Sequence, residues 1–517
     1  IVALTKIDLI DDPSWLDLVE DDTRKKLKRT ALSDAPIVRV SAKEGTNIQE
    51  LRRSIEELCS QMAPKRDIGK PYLPVDRVFT IRGSGTVVTG TLVDGPMSQG
   101  DKVTVFPKNL QTRIRALESY EKKVDKVQPG SRVAINLVGL EKEELKRGDI
   151  VFGGEGGVKS SKIIDARVGL ISQLTYPLKN NTELAVYLGT KEIVGKAVLL
   201  DRRSLKPGES AFAQIRFGAP VATRVGDRFI IRRLSPAQTV GGGVVFSPLA
   251  SKHKFKDIEK VIRFLQRREK LEIDELILSE LDKTKYMKVE DLLAASHYSP
   301  AEVTDCVKLL QNKNKLIVAG SWVIDSIHWQ KQNEKVLEIL TEEHSLHPLW
   351  KGVPQAELQN HLELPKELFS WLVAGPIESG KVVRDKDIVA LSIHQPRLSP
   401  EQESVVSNIL ELLKRDRTSP PTKRELATQI PGSEGIVRFM CQQNMLVELP
   451  EGVLFEWEHY QTVKNKIIDF LKSNGTISIQ QLRELFGFSR KHILPLLNKL
   501  DEEKVTRRVG DERVLAK

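Results

Sequence analysis

Cysteine is scarce in this chain of 517 residues, and Cys59, Cys306 and Cys441 lie far apart without forming a CxxC pair. This spacing excludes a disulfide framework and a zinc site built from cysteines. Long apolar runs are also missing, since no stretch approaches the roughly 18 apolar residues that a membrane span requires. The N-terminus lacks the basic region and the small-residue cleavage site of a signal peptide. We therefore expect a cytoplasmic protein without a membrane partner.

The composition is that of an ordinary globular protein, with 40% hydrophobic and 29% charged residues. Its length predicts three to six domains at about 100 to 200 residues each. The net charge of +10 favours a polyanionic partner. Residues 460–517 contain twelve Lys or Arg against seven Asp or Glu, so half of the excess lies at the C-terminal end. We expect the acidic partner to bind there.

Residues 1–63 alternate between apolar and helical segments: IVAL, a charged stretch around DDTRKKLKRTALS, APIVRV and NIQELRRSIEEL. Such alternation predicts a parallel α/β sheet. From 68 to 250 the chain changes to short β-branched runs separated by Gly and Pro turns, which is typical of β-barrels. The segment FGGEGGVKSS at 152–161 divides this region into two barrels, predicted at 68–155 and 162–250.

The rest of the chain contains an internal repeat, in which a helical stretch ends in two apolar strands joined by a short turn. Taking Leu316, Val382, Leu446 and Val505 as equivalent points, the spacings are 66, 64 and 59 residues. This period predicts an array of small domains. Three helices followed by a two-stranded wing make a winged helix. We predict four of them, at 251–327, 328–395, 396–457 and 458–517.

Two loops near the N-terminus carry residues suited to guanine. In TKID, which follows an apolar strand, Asp8 can accept hydrogen bonds from N1 and the exocyclic amino group of guanine, and Lys6 can lay its stem over the base. Thirty-three residues after Asp8, the residues Ser41, Ala42 and Lys43 end a second apolar strand and can offer backbone N–H groups. Ligand loops are expected at this edge of a parallel sheet.

This pair of loops resembles the fourth and fifth motifs of translational GTPases, over the last third of such a domain. Those proteins carry NKxD, so Thr5 replaces the usual Asn and removes one side-chain contact to the base. No GxxxxGK[ST] motif occurs; the nearest segment, GTVVTGTL at 85–92, lacks the Lys. The resemblance implies GTP and Mg²⁺ as cofactors, with the phosphate loop, the switch regions and the Mg²⁺ ligands before residue 1. The chain, which lacks an initiator Met, is expected to be truncated and inactive as a GTPase by itself.

The barrel sequences narrow the resemblance. PVDRVFTIRGSGTVVTGTLVDG is similar to the second domain of EF-Tu-type elongation factors, and TRVGDRFIIRRLSPAQTVGGGVV to the third. Four winged helices after such barrels resemble the SelB-type selenocysteine-specific elongation factors along the whole chain. This resemblance implies a monomeric GTPase that delivers selenocysteyl-tRNA to the ribosome at UGA codons. A hairpin in the mRNA, the SECIS element, would direct it by binding the winged helices.

The resemblance also implies an aminoacyl pocket beside Asp76, Arg77 and Arg132. A selenol is largely ionised near neutral pH, whereas a serine hydroxyl is not. Cationic side chains such as Arg77 and Arg132 would therefore favour selenocysteine over its serine precursor.

The fourth winged helix is the predicted RNA-binding unit. Its second helix begins at Arg490 and Lys491, and Arg507, Arg508 and Arg513 flank the wing turn. Cations at a helix start and on a wing suit phosphates. Because A-form RNA hides its major groove, the expected target is a hairpin loop or bulge. The three earlier units, with wings such as VELPEGVLF, are interpreted as spacers.

Two other functions remain open from the sequence. Winged helices more often read duplex DNA, so the chain could be a DNA-binding regulator. It could also be a general elongation factor for ordinary aminoacyl-tRNA, although that function leaves the C-terminal array unexplained.

Overall fold

The computed structural model describes residues 1–28, 30–82, 85–154 and 157–516. The predicted linker at 152–161 includes Glu155 and Gly156, which lie outside the described residues. The chain divides into two compact units. One contains Ile1–Ser279 and Glu290–Cys306, and the other contains Glu280–Val289 and Val307–Lys517.

The N-terminal segment forms the predicted α/β arrangement. Strands β1 (Val2–Thr5) and β2 (Ile37–Val40) pair in parallel, and helices α1 (Pro13–Leu27) and α2 (Ile48–Gln61) follow them. The Asp12 side chain accepts a hydrogen bond from the Ser14 N–H, which caps the start of α1. The carboxyl ends of β1 and β2 therefore lie side by side.

The first barrel is a closed ring of six strands. The order is β10-β4-β3-β11-β6-β7, and β7 pairs back onto β10; β8 adds to β7, and β5 pairs with β9. Alternate side chains of these strands, such as Leu73, Val75, Val88 and Ile135, fill the core. The strands are β3 (Tyr72–Ile81), β4 (Gly85–Thr91), β5 (Met97–Ser98), β6 (Lys102–Phe106), β7 (Leu110–Ser119), β8 (Lys122–Val124), β9 (Lys126–Val127), β10 (Arg132–Leu137) and β11 (Ile150–Gly153).

The second barrel is also closed, in the order β12-β17-β15-β14-β18-β19. A β-carbon at Gly241 or Gly243 would overlap the carbonyl oxygens of Gly169 or Arg167, so the TVGGG segment lets β19 approach β12 closely. The strands are β12 (Lys159–Leu170), β13 (Leu178–Lys179), β14 (Thr182–Leu188), β15 (Lys191–Leu199), β16 (Ser204–Leu205), β17 (Ser210–Thr223), β18 (Arg228–Arg233) and β19 (Gln238–Ser247).

A buried ionic cluster joins the two barrels. The Arg224 side chain is only 4% exposed, and its Nη1 lies 2.6 Å from Asp94 Oδ2 of the first barrel. Its guanidinium also stacks on the Tyr72 ring at 3.8 Å. From the first winged helix, His297 contacts Asp227 of the second barrel at 2.9 Å and Asp94 at 3.6 Å. Three parts of the chain thus meet at one set of charges.

Four winged helices, each made of helices and a β-hairpin, follow the barrels, which confirms the predicted array. They are called the first to fourth units below, as distinct from the two compact units described above. The equivalent points Leu316, Val382 and Leu446 are the first residues of three wings, and Val505 directly precedes the fourth. The first unit contains α3 (Ile258–Arg267), α4 (Ile273–Thr284), β20 (Tyr286–Lys288), α5 (Pro300–Asn312), β21 (Leu316–Ala319) and β22 (Trp322–Asp325). The second contains α6 (Ser326–Leu346), β23 (Val353–Pro354), α7 (Gln355–Leu362), α8 (Lys366–Glu378), β24 (Val382–Asp385) and β25 (Ile388–Leu391).

The third and fourth units complete the array. The third contains α9 (Pro400–Arg415), α10 (Lys423–Gln429), α11 (Ser433–Gln442), β26 (Leu446–Glu448) and β27 (Leu454–Glu456). The fourth contains α12 (Trp457–Asn474), β28 (Ile477–Ser478), α13 (Ile479–Phe486), α14 (Arg490–Glu502), β29 (Thr506–Val509) and β30 (Glu512–Leu515).

Two of the wings pack against the next winged helix. In the first wing, Trp322 Nε1 donates a 2.8 Å hydrogen bond to Glu367 of α8. In the third wing, Leu449, Val453 and Phe455 belong to the same apolar core as Phe488 of the fourth unit. These wings are apolar because they bury their side chains against a neighbour.

Candidate functional site

The two predicted guanine loops meet at the carboxyl edge of the parallel strands. Thr5 ends β1 directly beside Val40, which ends β2. Lys6 then adopts a left-handed conformation with φ 62°, and a short 3-10 turn follows at Ile7–Leu9. This turn places Asp8 against the second loop, where Asp8 Oδ1 accepts a 2.6 Å hydrogen bond from Ser41 Oγ.

The electrostatics of this edge keep Asp8 ionised. The Ser41 hydrogen bond, the largest cause, and the nearby charges of Lys43 and Lys6 lower the pKa of the Asp8 carboxyl below its ordinary value. Ser41 is fully buried, and its hydroxyl also accepts a 3.2 Å hydrogen bond from the Glu44 N–H, which orders the loop containing Ala42 and Lys43. An ionised carboxylate held in this way can accept two further hydrogen bonds from a base edge.

The predicted aminoacyl residues lie on strands β3 and β10 of the first barrel, which flank β4. Arg132 begins β10, and its Nη1 contacts Asp76 Oδ2 of β3 at 2.6 Å. Thr89, on the intervening strand β4, donates a 2.6 Å hydrogen bond to Asp76 Oδ1. Burial opposes ionisation of Asp76, but the bonds from Arg132 and Thr89 hold the pKa of its carboxyl below the ordinary value. Thr89 was not predicted, because its position opposite Arg77 depends on the register between β3 and β4.

A cationic depression of about 540 Å³ adjoins Asp76 and Arg77. Its other wall is formed by the segment between β10 and β11, including Lys142, Lys146 and Arg147. These three residues were not predicted, although the basic residues within EKEELKRG were an available signal. Arg147 Nε donates to the Thr190 carbonyl at 3.3 Å, which ties this segment to the second barrel.

Some of the predicted RNA-binding side chains are exposed, and others form ion pairs within the protein. Arg490 and Arg507 are exposed, and Arg508 is 65% exposed beside Asp511. Lys491 is about half exposed, but its Nζ lies 2.7 Å from Glu425 of the third unit. Arg513 differs most from the expectation.

The Arg513 side chain is only 7% exposed, and its Nε donates a 2.8 Å hydrogen bond to Asp501 Oδ2. Thr506 Oγ1 donates to the other Asp501 oxygen at 2.6 Å. These bonds join the wing to the end of α14. Arg513 therefore supports the wing from inside rather than extending from its surface.

Two negative findings apply to the part of the chain that the structure describes. No group of three or more His, Cys, Asp or Glu residues there could hold a metal ion. None of the helices in this part is both long enough and apolar enough to cross a membrane.

Family models match four parts of the chain. Elongation factor Tu domain 2 matches residues 85–152, and the selenocysteine-specific elongation factor beta-barrel domain matches 165–252. Elongation factor SelB winged-helix domains match 337–391 and 469–515. The matches include both barrels, the second winged helix and the fourth.

Individual proteins are similar over the whole chain. A selenocysteine-specific elongation factor of Desulfomicrobium baculatum is 31% identical over 100% of this chain and 83% of that protein. Its counterpart in Escherichia coli (strain K12) is 25% identical over 99% of this chain and 81% of that protein. A crystal structure of bacterial selenocysteine-specific elongation factor EF-Sec shares the fold, with a TM-score of 0.66, 21% identity and coverage of 100% of this chain and 81% of that chain. The chain therefore belongs to the family of selenocysteine-specific elongation factors.

Proposed function

We propose that this protein works as a GTP-dependent decoding factor in the cytoplasm. It would deliver selenocysteyl-tRNA to the ribosome at UGA codons, directed by an mRNA hairpin that binds the C-terminal winged helices. The observation that carries this proposal is the Arg132 guanidinium on the first barrel, because a cation suits an anionic amino-acid side chain. Arg132 is held by Asp76, which in turn accepts a hydrogen bond from Thr89. We propose that the factor acts as a monomer.

The selenol of selenocysteine is recognised through its charge. Asp76 and Thr89 orient Arg132, whose side chain is still 55% exposed and has further N–H donors for an incoming anion. A selenolate interacts favourably with this guanidinium, whereas the neutral serine hydroxyl gains much less. Arg77, exposed on the same strand as Asp76, adds a second positive charge. The adjacent cationic depression is suited to phosphates at the acceptor end of the tRNA.

Asp8 would read the guanine base of GTP. Its carboxylate accepts hydrogen bonds from N1 and the exocyclic amino group, with Ser41 fixing its orientation. Lys6 and the loop of Ala42 and Lys43 flank the same position. Thr5 lies at the end of β1, where the family usually has Asn. When bound, GTP and its Mg²⁺ would supply the phosphate chemistry of the GTPase class, and no Mg²⁺ ligands are assigned among these residues.

The hairpin would bind the exposed face of the fourth winged helix. Arg490, Arg507 and Arg508 supply cations for phosphates and guanidinium planes for stacking on unpaired bases. Lys491 lies beside them with its charge shared with Glu425. Arg513 holds the wing that carries Arg507 and Arg508, so its contribution is indirect.

Binding to nucleic acids tests this function. The full chain is titrated with a stem–loop RNA that follows a UGA codon and with duplex DNA of equal length and charge. We expect the RNA to bind more tightly, because exposed arginines suit the phosphates and unpaired bases of a hairpin loop. Preference for the duplex would instead favour a DNA-binding regulator. A second titration compares selenocysteyl-tRNA with an ordinary aminoacyl-tRNA. Equal binding of the two would favour a general elongation factor.

A further inference from the structure

The turn between β14 and β15 of the second barrel contacts the first barrel beside the proposed selenocysteine pocket. It consists of Gly189 and Thr190, and the strands that it connects pair up to Leu188 and Lys191. Thr190 is uncharged and half-buried, so its sequence alone does not mark it as a binding residue. Its hydroxyl, however, bonds to the strand that carries two of the predicted pocket residues.

Asp76 lies at a β-bulge in that strand. The residues on either side of it, Val75 and Arg77, pair with consecutive residues of β4, so Asp76 is the extra residue of β3. A bulge interrupts the regular ladder, and the direction of the side chain at the bulge depends on the peptide groups around it. The contacts of Asp76 with Arg132 and Thr89, both 2.6 Å long, therefore depend on how the bulge is held.

The carbonyl of Val75 belongs to the same peptide group as the Asp76 nitrogen, and two hydrogen bonds hold it. The Gly148 N–H donates to this oxygen at 2.8 Å from within the first barrel. Thr190 Oγ1 donates to it at 2.6 Å from the second barrel. Val75 is fully buried, so both bonds lie largely out of water and are correspondingly strong. Because a peptide group is planar, these bonds orient the chain at the point where Asp76 begins.

The two barrels meet closely on both sides of Thr190. A β-carbon at Gly148, whose φ is 89°, would lie 2.4 Å from the Lys191 β-carbon, so only glycine allows this approach. On the other side, the Pro74 β-carbon is 3.6 Å from the position that a β-carbon would take at Gly189. The turn is therefore fixed against β3 by packing as well as by hydrogen bonds.

Thr190 also supports the cationic depression beside Asp76 and Arg77. Its carbonyl accepts a 3.3 Å hydrogen bond from Nε of Arg147, which lies in the opposite wall of the depression. The hydroxyl and the carbonyl of one residue thus contact both β3 and the segment between β10 and β11. A shift of the turn would move both walls.

We propose that Thr190 of the second barrel is a positioning residue for the selection of selenocysteine, acting by fixing the bulge that carries Asp76 and hence the orientation of Arg132. This inference rests on the proposed function of Arg132 and adds a residue of the second barrel to the pocket of the first. Thr190 acts without touching the amino acid. It affects the difference in affinity between selenocysteyl-tRNA and seryl-tRNA, because the selenolate depends most on where the guanidinium charge lies.

The test compares Thr190→Val with Thr190→Ser in the full chain. Valine keeps the branched shape of threonine but removes the hydrogen-bond donor, and serine restores the donor. Because Gly148 still donates to the Val75 carbonyl, that buried group stays satisfied and the valine variant should fold. We expect the ratio of the affinities for selenocysteyl-tRNA and seryl-tRNA to fall about fivefold in Thr190→Val, the scale of one hydrogen bond, and to recover in Thr190→Ser. Protection of each aminoacyl-tRNA from deacylation measures both affinities.

Thr182→Val is the matched control. Thr182 Oγ1 also donates to a backbone carbonyl, that of Lys179 at 2.7 Å, but within the second barrel. This substitution should leave the ratio unchanged. A purely structural role of Thr190 would lower the unfolding temperature or both affinities together without changing their ratio, and either result refutes the inference.

Arg132→Glu separates this inference from the function on which it rests. If Arg132→Glu lowers the ratio and Thr190→Val does not, Arg132 selects the amino acid and the role of Thr190 is refuted. If Thr190→Val lowers the ratio and Thr190→Ser does not restore it, the effect does not come from the hydroxyl, and the inference is again wrong. If Arg132→Glu leaves the ratio unchanged, the proposed pocket and the inference both fail.

Discussion

The Arg132 guanidinium contacts the Asp76 carboxylate at 2.6 Å across the strand that separates them, with Thr89 of that strand bonded to the other Asp76 oxygen. Asp76 thus orients Arg132 without burying it. The charge that would select the amino acid is fixed by the barrel scaffold rather than by a mobile loop. This arrangement makes the selectivity of the pocket testable by single substitutions.

Charge reversal at Arg132 should remove discrimination between selenocysteyl-tRNA and seryl-tRNA. Arg132→Glu places a carboxylate near Asp76 and the selenolate, and like charges repel. We expect the ratio of the two affinities to fall at least about tenfold, the equivalent of about 1.4 kcal/mol. Protection of each aminoacyl-tRNA from deacylation measures the ratio. Arg113→Glu, an exposed residue elsewhere on the barrel, is the control; an unchanged ratio in Arg132→Glu would contradict the pocket assignment.

Arg508 and Arg513 should respond differently to replacement by alanine. Removing Arg513 leaves Asp501 without its buried partner and should destabilise the wing by about 2 kcal/mol, since one half of a partly buried ion pair remains. Removing the exposed Arg508 should weaken hairpin binding while leaving the thermal unfolding curve unchanged. Calorimetry and RNA titration of both variants distinguish the two roles. Equal unfolding curves with equal loss of RNA affinity would mean that Arg513 contacts RNA directly.

The contact of His297 with the barrels should depend on pH. Hydrogen bonds to Asp227 and then Asp94 raise the pKa of His297 above its ordinary value, against burial and the charge of Arg224. Since the folded pKa is higher than the unfolded one, the stabilisation is complete below the unfolded pKa of about 6.5 and is lost as the pH rises through the folded value. Lys70 donates to the Leu293 carbonyl at 3.0 Å in the same region, and burial lowers the pKa of its ammonium group to about 8, so Lys70 also titrates between pH 5.5 and 8.5.

Hydrogen exchange of residues 291–298 measures this effect. Protection should be greater at pH 5.5 than at pH 8.5 in the original protein, and His297→Asn should remove the larger part of the difference, the rest being due to Lys70. His361→Asn, a substitution in the second winged helix, should keep the whole difference. A pH dependence that survives in full in His297→Asn would assign the effect to Lys70 or another group.

Phe455 should stabilise the third and fourth winged helices together. Its side chain is 1% exposed and contacts Phe488 across the shared core. Phe455→Ala should cost about 3–5 kcal/mol and lower the unfolding temperature of both units, because the cavity lies between them. Hydrogen exchange in α9 and α14 reports each unit separately. Loss of protection in the third unit alone would show that the cores are independent.

Local sequence patterns predicted the parts of the molecule that are built from neighbouring residues. TKID and the Ser41 loop were recognisable because each follows an apolar strand, and the structure brings Asp8 and Ser41 together as that pattern implies. The repeated strand pairs predicted the wings because a half-buried strand leaves a local pattern of apolar residues in the sequence. The fold of the barrels and of the array followed from these short-range signals.

Contacts between distant segments were not predictable in the same way. Arg224 and Asp94 are 130 residues apart, and no spacing rule connects them. In the sequence, Arg513 resembles a surface cation. Its side chain is buried because it pairs with Asp501 at the end of α14, and no local pattern predicts this contact.

The third unit passes into the fourth without a linker, since β27 ends at Glu456 and α12 begins at Trp457. Cutting the chain there would expose Phe488 and the rest of an apolar surface that the third wing now covers, and such patches promote aggregation. An insertion at the same point would separate the two halves of one core. The third and fourth winged helices therefore form one structural unit. We expect this unit to be expressed, exchanged or deleted only as a whole.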